Sequence, residues 1–202
     1  MQACQVPLLE TGRSALAAEV ADAIAILNLT ECTEVPAQGY YLSCENSSLV
    51  LNTADGEKLQ PVLAKPAKFS AKQPLLRALA PARGGTVIDA TAGLAGDSLR
   101  LAMIADSVIA IERNAVVYAL LVSALHTAKS ASLTMAGKIE PRFGDAINLI
   151  PQLPAADVIF IDPMFPAKRK RSALPPKSVR VLRNIVGDDM DDAQLLLSLI
   201  HI

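Results

Sequence analysis

The sequence predicts an α/β protein whose larger part is a parallel sheet covered by helices on both faces. From about residue 65, short continuous apolar runs alternate with helical stretches, the pattern of strands buried on both faces. An acid stands at or near the end of each successive run: Asp89, Glu112, Asp145 and Asp162. Ligands of such sheets bind beyond the carboxyl ends of the strands, so these acids mark one candidate site. Residues 1–64 read differently, as a small α+β unit ahead of the parallel sheet.

In the first unit, Leu16, Val20, Ile24 and Leu27 fall on one face of a helix expected over Ser14 to Leu27. Tyr40 to Cys44 and Ser48 to Leu51 read as short strands, with Glu45-Asn46-Ser47 as the turn between them. Thr53 to Gly56 is a second turn, and Pro61 and Pro66 flank a linker. Beyond it, Lys72 to Leu79 is expected to form a short helix and Thr86 to Ala90 a strand. Asp97 to Ile104 is a helix, Ser107 to Ile111 a strand ending at Glu112, and Asn114 to Ala128 a long apolar helix. Lys138 to Phe143 is a strand ending at Gly144-Asp145, Ala146 to Leu153 is helical, and Asp157 to Ile161 is the fourth strand. A last helix is expected near Asp191 to Leu199.

Composition narrows the chemistry. Half of the 202 residues are apolar, enough for a sizeable core, yet Trp is absent and aromatics are 3%, so aliphatic side chains must pack it. The net charge of −1 argues against a general polycation. The basic residues Lys168, Arg169, Lys170, Arg171, Lys177, Arg180 and Arg183 nevertheless follow one another without an intervening acid, and Asp188, Asp189, Asp191 and Asp192 come next. Such a segment beside Asp162 points to a polyanionic partner; a solvated loop is the plainer reading. Cys4, Cys32 and Cys44 lack metal-ligand spacing and fit no disulfide framework, which indicates a reducing, cytoplasmic setting. Neither a signal peptide nor a membrane span is expected. With only His126 and His201, and His126 in an apolar helical pattern suited to a structural role, a histidine triad or zinc site is disfavoured and no metal is expected.

Two motifs carry chemistry. Val87 to Asp97 is a strand, a glycine turn and a helix start, with Gly93 and Gly96 but without the full dinucleotide fingerprint. Glycine lets the backbone approach a ligand, and the helix N-terminus offers N–H groups. Asp97 reads either as part of that site or as an N-cap. Glu112 ends the next strand, where an acid can hold both ribose hydroxyls, or is an exposed strand-end charge. Asp145, after Gly144, can reach an adenine amino group or simply close a turn. The strongest signal is Asp162-Pro163-Met164-Phe165 after the apolar run Val158 to Ile161. The Asp162 carboxylate and a backbone carbonyl can accept hydrogen bonds from an amino group while Phe165 stacks on a flat base, a fit to modification of an exocyclic nitrogen of a nucleobase. Pro163 and Pro166 fix that loop.

The run Asp89-Ala90-Thr91-Ala92-Gly93-Leu94, then Glu112-Arg113-Asn114, then Asp162 to Pro166, resembles the ribosomal RNA small subunit methyltransferase J family. The resemblance extends through Lys170, Ser172-Ala173-Leu174, Arg180-Val181 and Val186-Gly187. It covers roughly residues 65 to 196, with the first unit matching loosely. It implies a class I Rossmann-like methyltransferase sheet over residues 65–202, the cofactor S-adenosylmethionine, and methylation of N2 of a guanine in 16S rRNA. Gly96, Asp97, Glu112, Arg113, Gly144, Asp145 and Asp162 then line the cofactor site, joined by Asp89 and Gly93 at the first strand end. Asp162, Pro163 and Phe165 hold the base, and Lys168, Lys170, Lys177 and Arg180 bind RNA phosphates. The partner is 16S rRNA or the small subunit, and the protein a monomer. Two departures stand out. Gly96 replaces the family's basic residue, and the chain closes on Leu197 to Ile202 where the family adds three strands. An incomplete sheet with its C-terminal strands missing is therefore expected. The alternatives are methylation of adenine N6 or of a protein glutamine, an inactive RNA-binding fragment, and a nucleotide-dependent dehydrogenase.

Overall fold

The structure, a computed structural model, describes residues 6–66, 79–162 and 177–186. Most of the expected helix at Lys72 to Leu79, the segment carrying Pro163, Phe165, Lys168 and Lys170, and the helix expected near Asp191 lie outside the described residues.

Residues 6–66 build a five-stranded sheet from β1 (Leu8–Leu9), β2 (Glu31–Cys32), β3 (Tyr40–Glu45), β4 (Ser48–Thr53) and β5 (Lys58–Leu59), in the order β2-β1-β3-β4-β5. β3 and β4 form the expected hairpin, registered from Tyr40↔Thr53 to Glu45↔Ser48. Its turn residues Asn46 and Ser47 both have positive φ (48° and 64°), the left-handed pair that matches a hairpin's twist. The expected helix is shorter than its apolar spacing. Arg13–Ala15 forms a 3₁₀ turn, Leu16 and Ala17 are extended, and α1 runs only over Ala18–Ala25. Val20 and Ile24 are its buried positions, and Leu16 and Leu27 still pack on the same core from outside the helix.

The second sheet holds β6 (Thr86–Asp89), β7 (Ser107–Glu112), β8 (Ile139–Phe143) and β9 (Val158–Phe160), all parallel, in the order β8-β7-β6-β9. The chain steps outward from β6 to β8 and then returns to the other side of β6. The carboxyl end of the β6–β9 pair is therefore the switch point where such sheets bind ligands. Side chains alternate across the sheet. Val87, Val108, Ala110 and Ile139 face the helices α2 (Gly96–Leu101) and α3 (Ala115–Ser130). Ile88, Ile109 and Ile111 face Ala146 of α4 (Ala146–Leu149) and Ile150 beyond it.

α3 joins the two sheets. It is buried without interruption from Val116 to Leu125. Its Ser123 hydroxyl accepts from Leu49 N at 2.8 Å, and Thr127 Oγ1 lies 3.0 Å from Ser48 Oγ. His126 on α3 holds Glu19 of α1 with Nδ1 3.3 Å from Oε2, and Lys129 Nζ lies 3.1 Å from Oε1. His126 thus has its tie at the surface, between two helices.

α5 (Lys177–Val186) occupies part of the basic stretch that invites reading as a loop. The frequent Lys and Arg residues mask its apolar positions. Leu182 and Ile185 are buried, and Leu182 packs with Val117, Leu59, Leu94 and Val186. Asn184 Nδ2 donates to Tyr40 Oη at 2.9 Å, and the Asn114 side-chain amide reaches Ile185 O at 3.5 Å.

At the amino edge of the parallel sheet, polar groups close the chain on itself. Thr86 N donates to Asp157 Oδ2 at 2.8 Å, and Asp157 N donates to Thr86 O at 2.9 Å. Gly85 makes this possible, since a Cβ there would collide with the Asp157 carboxylate. Lys138 Nζ donates to Ala105 O at 2.9 Å. Among the described residues, no helix is long and apolar enough to cross a membrane.

Candidate active site

The site lies at the carboxyl edge, around the switch point. Asp89, the last residue of β6, is 1% exposed. Ser98 Oγ on α2 donates to its Oδ2 at 2.6 Å, and Thr91 N donates to its Oδ1 at 3.2 Å. Burial pushes its carboxyl pKa up to about 6; the two hydrogen bonds oppose that rise, and the nearby charges of Asp97 and Asp162 add to it.

The turn after β6 is wound tightly over the edge. Gly93 and Ala95 take left-handed φ of 53° and 63°, and α2 starts at Gly96. Ala92 N donates to Ile111 O at 3.0 Å, which pins the turn to β7. Gly93 N donates to Glu112 Oε2 at 3.0 Å and Asn114 N to Glu112 Oε1 at 2.7 Å. Glu112, 8% exposed, therefore presents a carboxylate whose orientation is set by main-chain donors from two elements. Gly144 N donates to Glu112 O at 3.0 Å, so the end of β8 closes on the same point.

The four strand-end acids divide. Asp89, Glu112 and Asp162 belong to one hydrogen-bonded edge, together with Gly93 and Gly144. Asp162 is exposed, and its N–H donates to Thr91 Oγ1 at 2.8 Å. Asp145 acts locally: its Oδ1 accepts from Ile147 N at 2.9 Å and caps α4. Asp97 is not the cap of α2, because Ala95 holds that position without a side-chain bond; Asp97 pairs with Arg100 at 2.7 Å. Gly96 leaves open space where a Cβ would stand, and Arg113 is exposed beside Glu112. Lys177 and Arg180 lie on α5. Among the described residues, no group of His, Cys, Asp and Glu comes together that could hold a metal ion.

Sequence reasoning missed Thr91, Ser98 and Asn114. Asn114 carried a signal, an Asn directly before a helix: its Oδ1 accepts from Val116 N and Val117 N at 3.0 and 3.2 Å. Thr91 and Ser98 carried none, since their partners are set by the fold.

A family model described as "Putative SAM-dependent methyltransferase" matches residues 26–201. Curated proteins named ribosomal RNA small subunit methyltransferase J match as well. The one from Alteromonas mediterranea is 34% identical over 178 residues, 81% of this chain and 69% of that protein. The one from Hydrogenovibrio crunogenus is 37% identical over 136 residues, 64% of this chain and 49% of that protein. The one from Rhodopseudomonas palustris strain HaA2 is 43% identical over 121 residues, 58% of this chain and 55% of that protein. The chain thus spans about half the length of the last two relatives. A crystal structure of a SAM-dependent methyltransferase from Neisseria gonorrhoeae shares the fold, with a TM-score of 0.67 at 22% identity over 94% of this chain and 76% of that one. With three acids held at the switch point of a parallel sheet, and with matches of this extent, the chain belongs to the ribosomal RNA small subunit methyltransferase J family of SAM-dependent methyltransferases.

Proposed function

We propose that the protein transfers a methyl group from S-adenosylmethionine to N2 of a guanine in the 16S rRNA of the small ribosomal subunit. The observation that carries this is the meeting of Asp89, Glu112 and Asp162 at one sheet edge, in a chain related to rRNA small subunit methyltransferases. In this reading residues 1–64 are a small N-terminal domain, residues 65–202 the transferase domain, and the protein acts as a cytoplasmic monomer.

The residues present fit the cofactor. Three carboxylates give the edge a negative field suited to a sulfonium cation. Glu112 is oriented by Gly93 N and Asn114 N as a fixed acceptor for ribose hydroxyls, and Gly96 leaves room for close approach. Gly93, Arg113 and Gly144 join this cofactor-binding set, and Asp97 and Asp145 border it while keeping their local bonds to Arg100 and Ile147 N. When bound, S-adenosylmethionine supplies an electrophilic methyl group.

The chain's own groups supply alignment. The guanine amino lone pair is delocalised and weakly nucleophilic. Asp162 and the carbonyl of Pro163 accept its two N–H bonds and aim the nitrogen, while Phe165 holds the base by stacking. The Asp162 carboxylate also offsets the positive charge that develops on nitrogen. Lys168, Lys170, Lys177 and Arg180 bind RNA phosphates and fix the substrate's register without reading its sequence.

The test is tritiated methyl transfer to unmodified 16S rRNA, with Asp162→Ala as the critical variant. Transfer should be abolished with melting temperature retained. Activity within threefold of the parent would remove Asp162 from the reaction.

A further inference from the structure

The β6–β9 ladder runs through Val87↔Val158, Ile88↔Ile159 and Asp89↔Phe160, and Ala90 N then donates to Phe160 O at 2.9 Å. At the next donor along β9's exit, a side chain takes over: Asp162 N donates to Thr91 Oγ1 at 2.8 Å. This contact joins residues 71 apart in sequence, at the carboxyl ends of the two strands that flank the switch point.

Thr91 is itself held firmly. Its N–H donates to Asp89 Oδ1 at 3.2 Å, and the buried Asp89 carboxylate is fixed from the other side by Ser98 Oγ at 2.6 Å. A β-branched residue has few χ1 options, so a fixed main chain narrows where the hydroxyl can lie. Asp162, by contrast, is exposed and followed by Pro163, which has no N–H to donate. Its own N–H is thus the last main-chain donor before the base-holding segment.

We propose that Thr91 is a positioning residue of the transferase site, whose hydroxyl clamps the Asp162 main chain to the end of β6 and so sets where the Asp162 carboxylate meets the base. Thr91 touches neither substrate nor cofactor in this role. The inference rests on the reading of Asp162 given above, but the clamp can be measured independently of activity.

The experiment uses the full chain with Thr91→Val, which removes the acceptor while keeping the branched shape, and Thr91→Ser, which keeps it. Hydrogen exchange at the Asp162 amide reads the clamp, with the Ala90 amide as the control for an intact strand end. Methyl transfer to unmodified 16S rRNA under single turnover, together with the KM for S-adenosylmethionine, reads the consequence. In Thr91→Val the Asp162 amide should exchange at least tenfold faster, with Ala90 unchanged. Transfer should slow ten- to a hundredfold and the cofactor KM should stay within twofold. Thr91→Ser should restore both readouts to within threefold of the parent. An Asp162 amide indifferent to Thr91→Val overturns the proposal. So does a freed amide with unchanged transfer, or a serine variant as impaired as the valine one. If Asp162→Ala transfers methyl at the parental rate, the catalytic reading fails and takes the positioning role with it, even where the exchange data still show the clamp.

Discussion

The two edges of the parallel sheet use similar residues to opposite ends. At the amino edge, Asp157 and Lys138 spend their polar atoms on the main chain: Asp157 accepts from Thr86 N, and Lys138 donates to Ala105 O. Those groups hold the fold together. At the carboxyl edge, Asp89 and Glu112 also accept main-chain N–H groups, but these bonds orient buried carboxylates at the strand ends, beside exposed Asp162. The same carboxylate chemistry serves closure at one edge and orientation at the other. The difference lies in whether the surrounding chain fills the space, as Asp157 does over Gly85, or leaves it, as at Gly96.

The contrast breaks most visibly at Asp89. Its carboxyl titrates near 6 in the folded protein against about 3.9 unfolded, so the folded state binds the proton more tightly. The stability this confers is fully present below about pH 4 and is lost as pH rises through 6, a change of about 3 kcal/mol for a shift of this size. Asp89→Asn should remove the dependence. Urea midpoints of parent and variant should therefore diverge between pH 4 and 7, with the variant gaining relative to the parent. Parallel curves would mean that Asp89 titrates as an ordinary carboxyl.

Glu112→Ala should weaken S-adenosylmethionine binding by about 1 to 3 kcal/mol, the cost of losing a charged acceptor. Calorimetry checks this, and an unchanged dissociation constant would place the ribose elsewhere. Gly85→Ala, at the opposite edge, should do the reverse. The new Cβ drives the Asp157 carboxylate off Thr86 N, which should cost about 1 to 2 kcal/mol of stability and leave cofactor affinity untouched. A loss of cofactor binding in that variant would erase the distinction between the edges. The smallest effect belongs far from both. Ser47, at φ 64° in the β3–β4 turn, should gain about 0.5 to 1 kcal/mol on replacement by Gly, with methyl transfer unaltered. A lower urea midpoint would show that the serine side chain contributes more than its backbone strain costs.

Much of this architecture was legible from local pattern. β6, β7 and β9 follow from their apolar runs, whereas β8, an edge strand of sequence Ile-Glu-Pro-Arg-Phe, buries only Ile139; the acids Asp89, Glu112 and Asp162 follow from their places at strand ends. The β3–β4 hairpin follows from the turn Glu45-Asn46-Ser47 between two short strands. What escaped depends on partners distant in sequence. α5 was hidden because Lys177, Arg180 and Arg183 break up the apolar pattern in sequence, and Leu182 counts as part of a buried face only once Val117 and Leu59 are there to cover it. The local duties of Asp145 and Asp97 were readable only as alternatives, since a cap and a ligand-binding acid look the same in sequence. Thr91 gave no signal, because its hydrogen bond to Asp162 exists only when β6 and β9 lie side by side.

α3 places a limit on how this molecule can change over generations. Its Ser123 hydroxyl is the acceptor for Leu49 N, and its Thr127 hydroxyl meets Ser48, while the same helix lines β7 and β8. Moving the first sheet onto a different partner domain would strand the buried Leu49 N–H unless Ser123 or an equivalent acceptor travelled with it. The two sheets should therefore be inherited together, and recombination between them should succeed only at junctions that carry α3's contact residues along with the β3–β4 hairpin.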